Sequence, residues 1–142
     1  MPVAFETVPQ HAPAESVLVL DSGGLSRLSQ RNRRAAALID ALRAENLWPP
    51  VVPTVVLAES TTGAARTDAN INRVLKSCDV DPIVAERAAR RAGYLRARAR
   101  TGSAVDALLV AVAEPGGTVL TGDSRDLEAL AAYSDGVVIE RI

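Results

Sequence analysis

The chain has 142 residues, of which 48% are hydrophobic and 23% are charged, and its formal net charge is −1. This length and balance are typical of one globular domain, and the net charge argues against a protein that binds nucleic acid through bulk positive charge. No apolar run reaches the about 20 residues that a membrane span requires. The single cysteine, Cys78, excludes an intramolecular disulfide and suits a reducing cytoplasm.

The first fifteen residues differ in composition from the rest of the chain. They carry neither the basic start nor the apolar stretch of a signal peptide, and they are rich in proline and polar residues. We therefore expect a flexible N-terminal extension over 1–15, which contains the only histidine, His11, and a folded domain over 16–142.

Short β-like runs alternate with helical patterns along the rest of the chain. In chain order, the pattern predicts a strand at 16–20, helices at 25–30 and 32–45, a strand at 51–52, helices at 54–59 and 68–76, a strand at 78–80, helices at 82–101 and 104–113, a strand at 118–121, a helix at 124–133 and a strand at 137–139. This alternation predicts an α/β fold, a three-layer α/β/α sandwich with a central parallel sheet of about five strands.

Two aspartates stand directly after predicted strands. Asp21 follows the first apolar run, and Asp123 follows the strand at 118–121. Ligands of open parallel sheets bind at this carboxyl edge, so both residues are candidates for a functional site. Aspartate is also a common turn residue and helix N-cap, and Asp123 with Asp126 resembles a capping box. A structural role therefore remains open for each residue alone.

Two further acids lie in predicted helices. Asp106 is the only polar residue in the segment AVDALLVAVA, and burying its carboxylate is costly unless it is protonated, paired with an arginine or bound to a metal. Glu59 lies in the segment TVVLAES, where an exposed position on an amphipathic helix is the alternative.

A single metal site would account for all four acids. Converging carboxylates repel one another, and a hard divalent cation removes that repulsion because it prefers oxygen ligands. We therefore expect Mg²⁺ or Mn²⁺. Zinc is disfavoured because the chain has one cysteine and one histidine. The sequence also lacks a GxxxxGK[ST] phosphate loop and a GxSxG nucleophile motif.

Four segments, VLVLDSGGL, TVVLAES, GSAVDALLVAVA and VLTGDSRDLEAL, resemble in their order and spacing the acidic blocks of the PIN domain family. More specifically, they resemble the VapC-type ribonuclease toxins of bacterial toxin–antitoxin pairs, over residues 17–142. The resemblance implies a five-stranded parallel sheet. It also implies that Mg²⁺ or Mn²⁺ is held by four acids, Asp21, Glu59, Asp106 and Asp123, with a further acidic position at Asp126. Ser22 and Thr121 would support these ligands. Relatives often have Ser or Asn at the position of Gly23, so we expect one supporting contact to be missing.

The resemblance implies a Mg²⁺-dependent endoribonuclease toxin that cleaves RNA phosphodiester bonds. One or two metal ions would activate the attacking water. A cognate VapB-like antitoxin would neutralise the toxin, which would be a cytoplasmic homodimer. The alternatives are a PIN nuclease that processes RNA or acts on DNA without an antitoxin, and a non-catalytic PIN module that binds RNA or protein.

Arginine accounts for fifteen of the sixteen basic residues. Six arginines fall within 87–100, and a second group lies within 27–34. Two tyrosines, one tryptophan and one phenylalanine offer little base stacking, so we expect RNA backbone contacts to come from arginines. The candidates are Arg27, Arg31, Arg90 and Arg91. A solvated helix face is the alternative for this clustering.

Overall fold

Five short strands form one parallel sheet in residues 16–142, the part of the chain that the computed structural model describes. The predicted extension over 1–15, with His11, lies outside the described residues. The strands are β1 (Leu18–Leu20), β2 (Val51–Pro53), β3 (Asp79–Asp81), β4 (Thr118–Thr121) and β5 (Val138–Arg141). Their order in the sheet is β3-β2-β1-β4-β5, and every neighbouring pair is parallel.

Seven helices flank the sheet in the described part of the chain. They are α1 (Ser22–Ser29), α2 (Arg33–Ala44), α3 (Thr54–Ser60), α4 (Ala65–Leu75), α5 (Glu86–Ala99), α6 (Ala104–Ala113) and α7 (Arg125–Ala131). Helix α1 contacts α2, α3 and α4, while α5, α6 and α7 contact one another. Both α1 and α6 also pack on β1 and β4. The predicted three-layer α/β/α fold with about five parallel strands is confirmed.

The central strand β1 anchors the core. Leu18, Val19 and Leu20 are each at most 2% exposed, as expected of a strand covered by helices on both faces. Burying side chains of this size stabilises the fold by about 1.5–3 kcal/mol each. Strand β2 lies on one side of β1 and β4 on the other, so the chain reverses its direction of winding between β1 and β4. A crevice forms outside the carboxyl ends of strands at such a switch point.

Three helix starts differ from the prediction. Helix α1 begins at Ser22 rather than at 25, because Asp21 caps its first turn. Helix α5 begins at Glu86 rather than at Pro82, because the Asp81 side chain accepts a hydrogen bond from the backbone of Ile83 and holds a turn there. Helix α4 begins at Ala65 rather than at 68. No helix within residues 16–142 is long and apolar enough to cross a membrane.

A buried carboxylate closes the loop between α3 and α4. Asp68 accepts hydrogen bonds from the backbone N–H of Thr62 at 2.9 Å, from the Thr62 hydroxyl at 3.0 Å and from the backbone N–H of Gly63 at 2.9 Å. The hydrogen bond from the Thr62 backbone contributes most to lowering the pKa of Asp68. The charged carboxylate therefore stabilises the folded state relative to the unfolded chain.

We expect Asp68→Asn to lower the Tm at neutral pH by several degrees, because an amide places a donor against the donors of this loop. In the wild type, this contribution is fully present above the unfolded pKa of about 3.9 and is lost as pH falls through the lowered folded pKa. The variant should therefore lose less stability on acidification. Thermal denaturation across an acid pH series, with Asp40→Asn as an exposed control, measures both effects. A variant that melts like the wild type at neutral pH would contradict this role.

Candidate active site

Asp21 is held rigidly at the carboxyl edge of the sheet, between its two central strands. Its Oδ1 accepts a hydrogen bond from the backbone N–H of Gly24 at 2.6 Å and so caps α1. Its Oδ2 accepts a hydrogen bond from the hydroxyl of Thr121, the last residue of β4. The backbone N–H of Asp21 also donates to the carbonyl of Leu120 at 3.2 Å. Both carboxylate oxygens are therefore fixed by the strand and helix that meet at this point.

The electrostatics of Asp21 show that acids from separate segments converge on it. Burial raises the pKa of Asp21, and the negative charges of Asp106 and Glu59 raise it further, while the hydrogen bonds from Thr121 and Gly24 lower it. Asp106 comes from α6 and Glu59 from the last turn of α3. The charges of three chain segments therefore act on one another at this edge of the sheet.

A cleft of about 280 Å³ opens beside Asp21. Four carboxylates line this acidic cleft: Asp21, Asp106, Asp123 and Asp126. Ser22, Gly23, Gly122 and Leu127 complete its walls. Glu59 is exposed and lies outside the lining, although its charge reaches Asp21. The structure thus brings three of the four predicted acids and Asp126 to one cleft, with Glu59 at its margin.

Asp106 is half-buried rather than enclosed in the core. Its carboxylate accepts a hydrogen bond from the backbone N–H of Ser103 at 3.3 Å, and the Ser103 hydroxyl accepts one from the backbone N–H of Asp106 at 3.0 Å. This capping box places Asp106 in the first turn of α6. The expectation that burial distinguishes Asp106 is therefore wrong, and Asp21 is the acid whose pKa is raised by burial. Within residues 16–142, no arginine forms a salt bridge with Asp106.

The acids near β4 are exposed, and neither caps α7. Helix α7 has Ser124 as its N-cap, without a side-chain hydrogen bond. The capping-box interpretation of Asp123 is therefore wrong, although its Oδ1 accepts a hydrogen bond from the backbone of Arg125 at 3.3 Å. Asp126 accepts a hydrogen bond from the hydroxyl of Thr101 at 2.9 Å. Asp123 makes no other side-chain hydrogen bond to a described residue, so its carboxylate can turn toward a ligand.

The supporting residues differ in what they contact. Thr121 is fully buried, and its hydroxyl also accepts a hydrogen bond from the backbone N–H of Asp123 at 3.0 Å. One side chain thus joins the two strand-end aspartates, in agreement with a supporting role. Ser22 lines the cleft and makes no side-chain hydrogen bond to another residue within 16–142.

The turns after β1 and β4 touch through glycines. A Cβ atom at Gly23 would lie 2.8 Å from the backbone nitrogen of Gly122, and one at Gly24 would lie 2.2 Å from the carbonyl oxygen of Leu120. A side chain at either position would push the two turns apart. This contact explains why a glycine stands at position 23. The sequence had led us to expect only that a supporting side chain is missing there. The glycine pair directly after an apolar strand is the signal that could have indicated it.

The chemistry of the cleft fits a hard divalent cation. Within residues 16–142, no group of three or more Asp, Glu, His or Cys side chains is already arranged to coordinate a metal ion. Mg²⁺ keeps several of its water ligands and is commonly bound through one or two carboxylates, so it does not require such a group. The described lining offers carboxylate oxygens and neither thiolate nor imidazole, which suits Mg²⁺ or Mn²⁺ better than zinc.

None of the four arginines proposed to bind RNA lines the acidic cleft. Arg91 forms a two-pronged salt bridge with Glu114 at 2.8 and 2.9 Å. Glu114 is the C-cap of α6, about 12 Å along that helix from Asp106. Arg90 pairs with Glu86 at 3.2 Å on an exposed face. Contact of Arg90 or Arg91 with RNA stays a prediction, and for Arg91 it would compete with the salt bridge to Glu114.

The arginines near α1 lie on another part of the surface. The Nε atom of Arg31 donates to the side chain of Asn70 at 3.1 Å, and Arg31 lines a cleft of about 640 Å³ between α1 and α2. Arg27 is exposed in the last turn of α1. Contact of either residue with RNA stays a prediction.

The sequence model of the PIN domain matches residues 18–133, a range that includes every acid of the cleft and Glu59. A search of curated proteins found no match.

Proposed function

Because the chain belongs to the PIN domain family, whose members are generally nucleases, we propose that it is a Mg²⁺- or Mn²⁺-dependent endoribonuclease of the VapC toxin type. One observation carries the proposal: aspartates from three separate segments line one cleft at the carboxyl edge of β1 and β4. Such an arrangement is repulsive without a cation and suits the binding of one.

The carboxylates would hold the metal rather than attack the substrate. Asp21, Asp106, Asp123 and Asp126 would be the ligands, directly or through water, with Glu59 at the margin. A bound divalent ion supplies an activated water and stabilises the charge that develops on the phosphate. Asp21 would fix the position of this site, because both of its oxygens are hydrogen-bonded to the scaffold.

The hydroxyl of Thr121 should matter for activity because it orients Asp21 and the backbone of Asp123. We expect Thr121→Val, which keeps the shape of the side chain, to slow RNA cleavage by about 10–100-fold, as is common for groups that orient metal ligands. Thr121→Ser keeps the hydroxyl and should retain most of the activity. Initial rates at saturating Mg²⁺ measure the effect. Equal rates for the valine variant and the wild type would remove Thr121 from the site.

Cleavage of RNA by the purified protein tests the proposed chemistry. We expect a mixed RNA substrate to be cut in Mg²⁺ or Mn²⁺, and cutting to stop when EDTA removes the metal. Direct attack of water leaves a 5′-phosphate and a 3′-hydroxyl, which end-labelling distinguishes from the cyclic phosphate of a metal-free mechanism. DNA of the same sequence is the matched substrate control. Cleavage that continues in EDTA would contradict the proposal.

The toxin assignment needs a separate test in cells. We expect induction of the wild type to arrest growth, co-expression of a cognate VapB-like antitoxin to relieve the arrest, and a short upstream reading frame to encode that antitoxin. Sequencing of the cleaved RNA ends after induction would identify the target. Growth without arrest, together with RNA cleavage in vitro, would favour a PIN nuclease that processes RNA without an antitoxin.

We also propose that the protein works in the cytoplasm as a homodimer, which rests on the toxin assignment. The thiol of Cys78 is compatible with that compartment. Burial raises its pKa to about 11, so it is almost entirely protonated at neutral pH and unreactive. Size-exclusion chromatography with light scattering would measure the oligomeric state.

A further inference from the structure

A second cleft lies at the carboxyl end of α5, and two arginines that were not among the predicted RNA contacts line it. This arginine cleft has a volume of about 420 Å³. Its lining consists of Gly93, Arg96, Ala97, Arg100, Thr101 and Gly102. It is built from the last turns of α5 and the loop that leads into α6, the helix that carries Asp106.

The arginine cleft and the acidic cleft share a wall. Thr101 lines the arginine cleft, and its hydroxyl donates to Oδ1 of Asp126 at 2.9 Å. Asp126 in turn lines the acidic cleft. A nucleotide strand with one phosphate among the carboxylates would reach the two arginines if it ran past Thr101.

The guanidinium groups of this cleft are available to a ligand. Arg96 and Arg100 are both exposed, and within residues 16–142 neither forms a salt bridge with an acidic side chain. The Nε atom of Arg96 donates to the carbonyl of Gly102 at 3.4 Å. The other N–H groups of the Arg96 guanidinium make no hydrogen bond to a residue within 16–142. Arg90 and Arg91 on the same helix, in contrast, are paired with Glu86 and Glu114.

At two positions of the cleft, the residue type is unfavourable for the local backbone conformation. Arg100 caps α5 with a φ of 57°, in the left-handed region where glycine is the usual residue. Gly93 lies inside α5, where alanine is a better helix former, and a Cβ atom there would meet no atom within 4 Å. Packing therefore does not require glycine at position 93. Such local costs often mark functional positions, and both face the same cleft.

We propose that the arginine cleft binds a backbone phosphate of the RNA strand, next to the phosphate that is cleaved in the acidic cleft. The inference rests on the proposed function, because it assigns a substrate contact to the same nuclease. Guanidinium groups match the geometry of phosphate oxygens and can bind them through two donors. Separation of the two clefts keeps this positive charge out of the cation site, while Thr101 fixes the distance between them.

The salt dependence of RNA binding tests this subsite. The probe is a fluorescein-labelled single-stranded RNA of mixed sequence, and all variants carry Asp21→Asn so that the RNA stays intact. We expect Arg96→Gln with Arg100→Gln to make the slope of log affinity against log salt shallower by about 0.7, because the cleft is proposed to hold one phosphate and each single-strand phosphate contact contributes about 0.7. Arg87→Gln with Arg98→Gln removes the same charge from exposed positions of the same helix outside the arginine cleft, and should leave the slope nearly unchanged.

A single variant separates a binding role from a structural one. Arg100→Gly relieves the left-handed backbone, so we expect an equal or higher Tm together with weaker RNA binding. A lower Tm with an unchanged slope would show a structural role and overturn the proposal. An equal loss of slope in both double variants would also overturn the proposal. So would binding of poly-glutamate to the arginine cleft together with an unchanged slope for RNA, because this result would indicate an acidic protein as the partner.

Failure of the subsite and failure of the proposed function give different results. If the wild type cleaves RNA and the Arg96 and Arg100 variants keep the parental slope, the subsite is wrong and the nuclease stands. If the wild type neither cleaves nor binds RNA, both are wrong.

Discussion

Asp21→Asn and Asp106→Asn should each reduce Mg²⁺-dependent RNA cleavage by about 100- to 1000-fold or more, the range seen when one preorganised electrostatic group is removed. Each change removes a charged oxygen ligand from the acidic cleft. The fold should survive. Asparagine at position 21 can still accept the hydrogen bond from Gly24, and its amide can meet the hydroxyl of Thr121, which is able to accept.

Initial cleavage rates with an RNA substrate measure this effect, and circular dichroism confirms that each variant is folded. Asp40→Asn is the matched control, because it makes the same change at an exposed position on α2. It should cleave at the wild-type rate. An Asp21→Asn or Asp106→Asn variant that cleaves as fast as the wild type in Mg²⁺ would refute the assignment of these carboxylates.

Gly24→Ala should destabilise the protein by about 3 kcal/mol, at the upper end of the range for overpacking. The added Cβ atom would lie 2.2 Å from the carbonyl oxygen and 2.9 Å from the carbonyl carbon of Leu120. These are backbone atoms of β4, held by the pairing of Leu120 with Leu20 and by the hydrogen bond from Asp21. The turn after β1 would have to move, and with it the carboxylate of Asp21, so cleavage should fall as well.

Gly93→Ala makes the same change in another helix and should have the opposite effect on the free energy of unfolding. The space around Gly93 is open, so alanine should stabilise α5 by about 0.5–1 kcal/mol through its higher helix propensity. Urea denaturation of the two variants gives both free energies of unfolding. If Gly24→Ala is as stable as the wild type, the close contact between the turns does not constrain this fold.

The order and type of the elements could be predicted because their patterns are local. The strand at 118–121 matches β4, and the long amphipathic helix buries Ala92 and Leu95 as its spacing indicates. Helix starts were less accurate, because they depend on side-chain contacts such as the cap that Asp21 provides for α1. A hydrophobic pattern carries no information on those contacts.

The candidate site could be predicted only in part, because its contacts join distant segments. The hydroxyl of Thr121 reaches Asp21 across 100 residues, and this contact depends on β1 lying beside β4. Apolar neighbours in sequence suggested that Asp106 is enclosed, whereas its place in the first turn of α6 leaves it half-buried. Arg91 appeared available for RNA, because its partner Glu114 lies 23 residues away.

The binding of Mn²⁺ to the purified protein, followed by isothermal titration calorimetry, tests the metal assignment of the acidic cleft most directly. We predict saturable binding to the wild type and to Asp40→Asn, and at least about tenfold weaker binding to folded Asp21→Asn, since ligand charge and number set the affinity. Equal affinity of the wild type and Asp21→Asn for Mn²⁺, or no saturable binding by the wild type, would contradict the assignment.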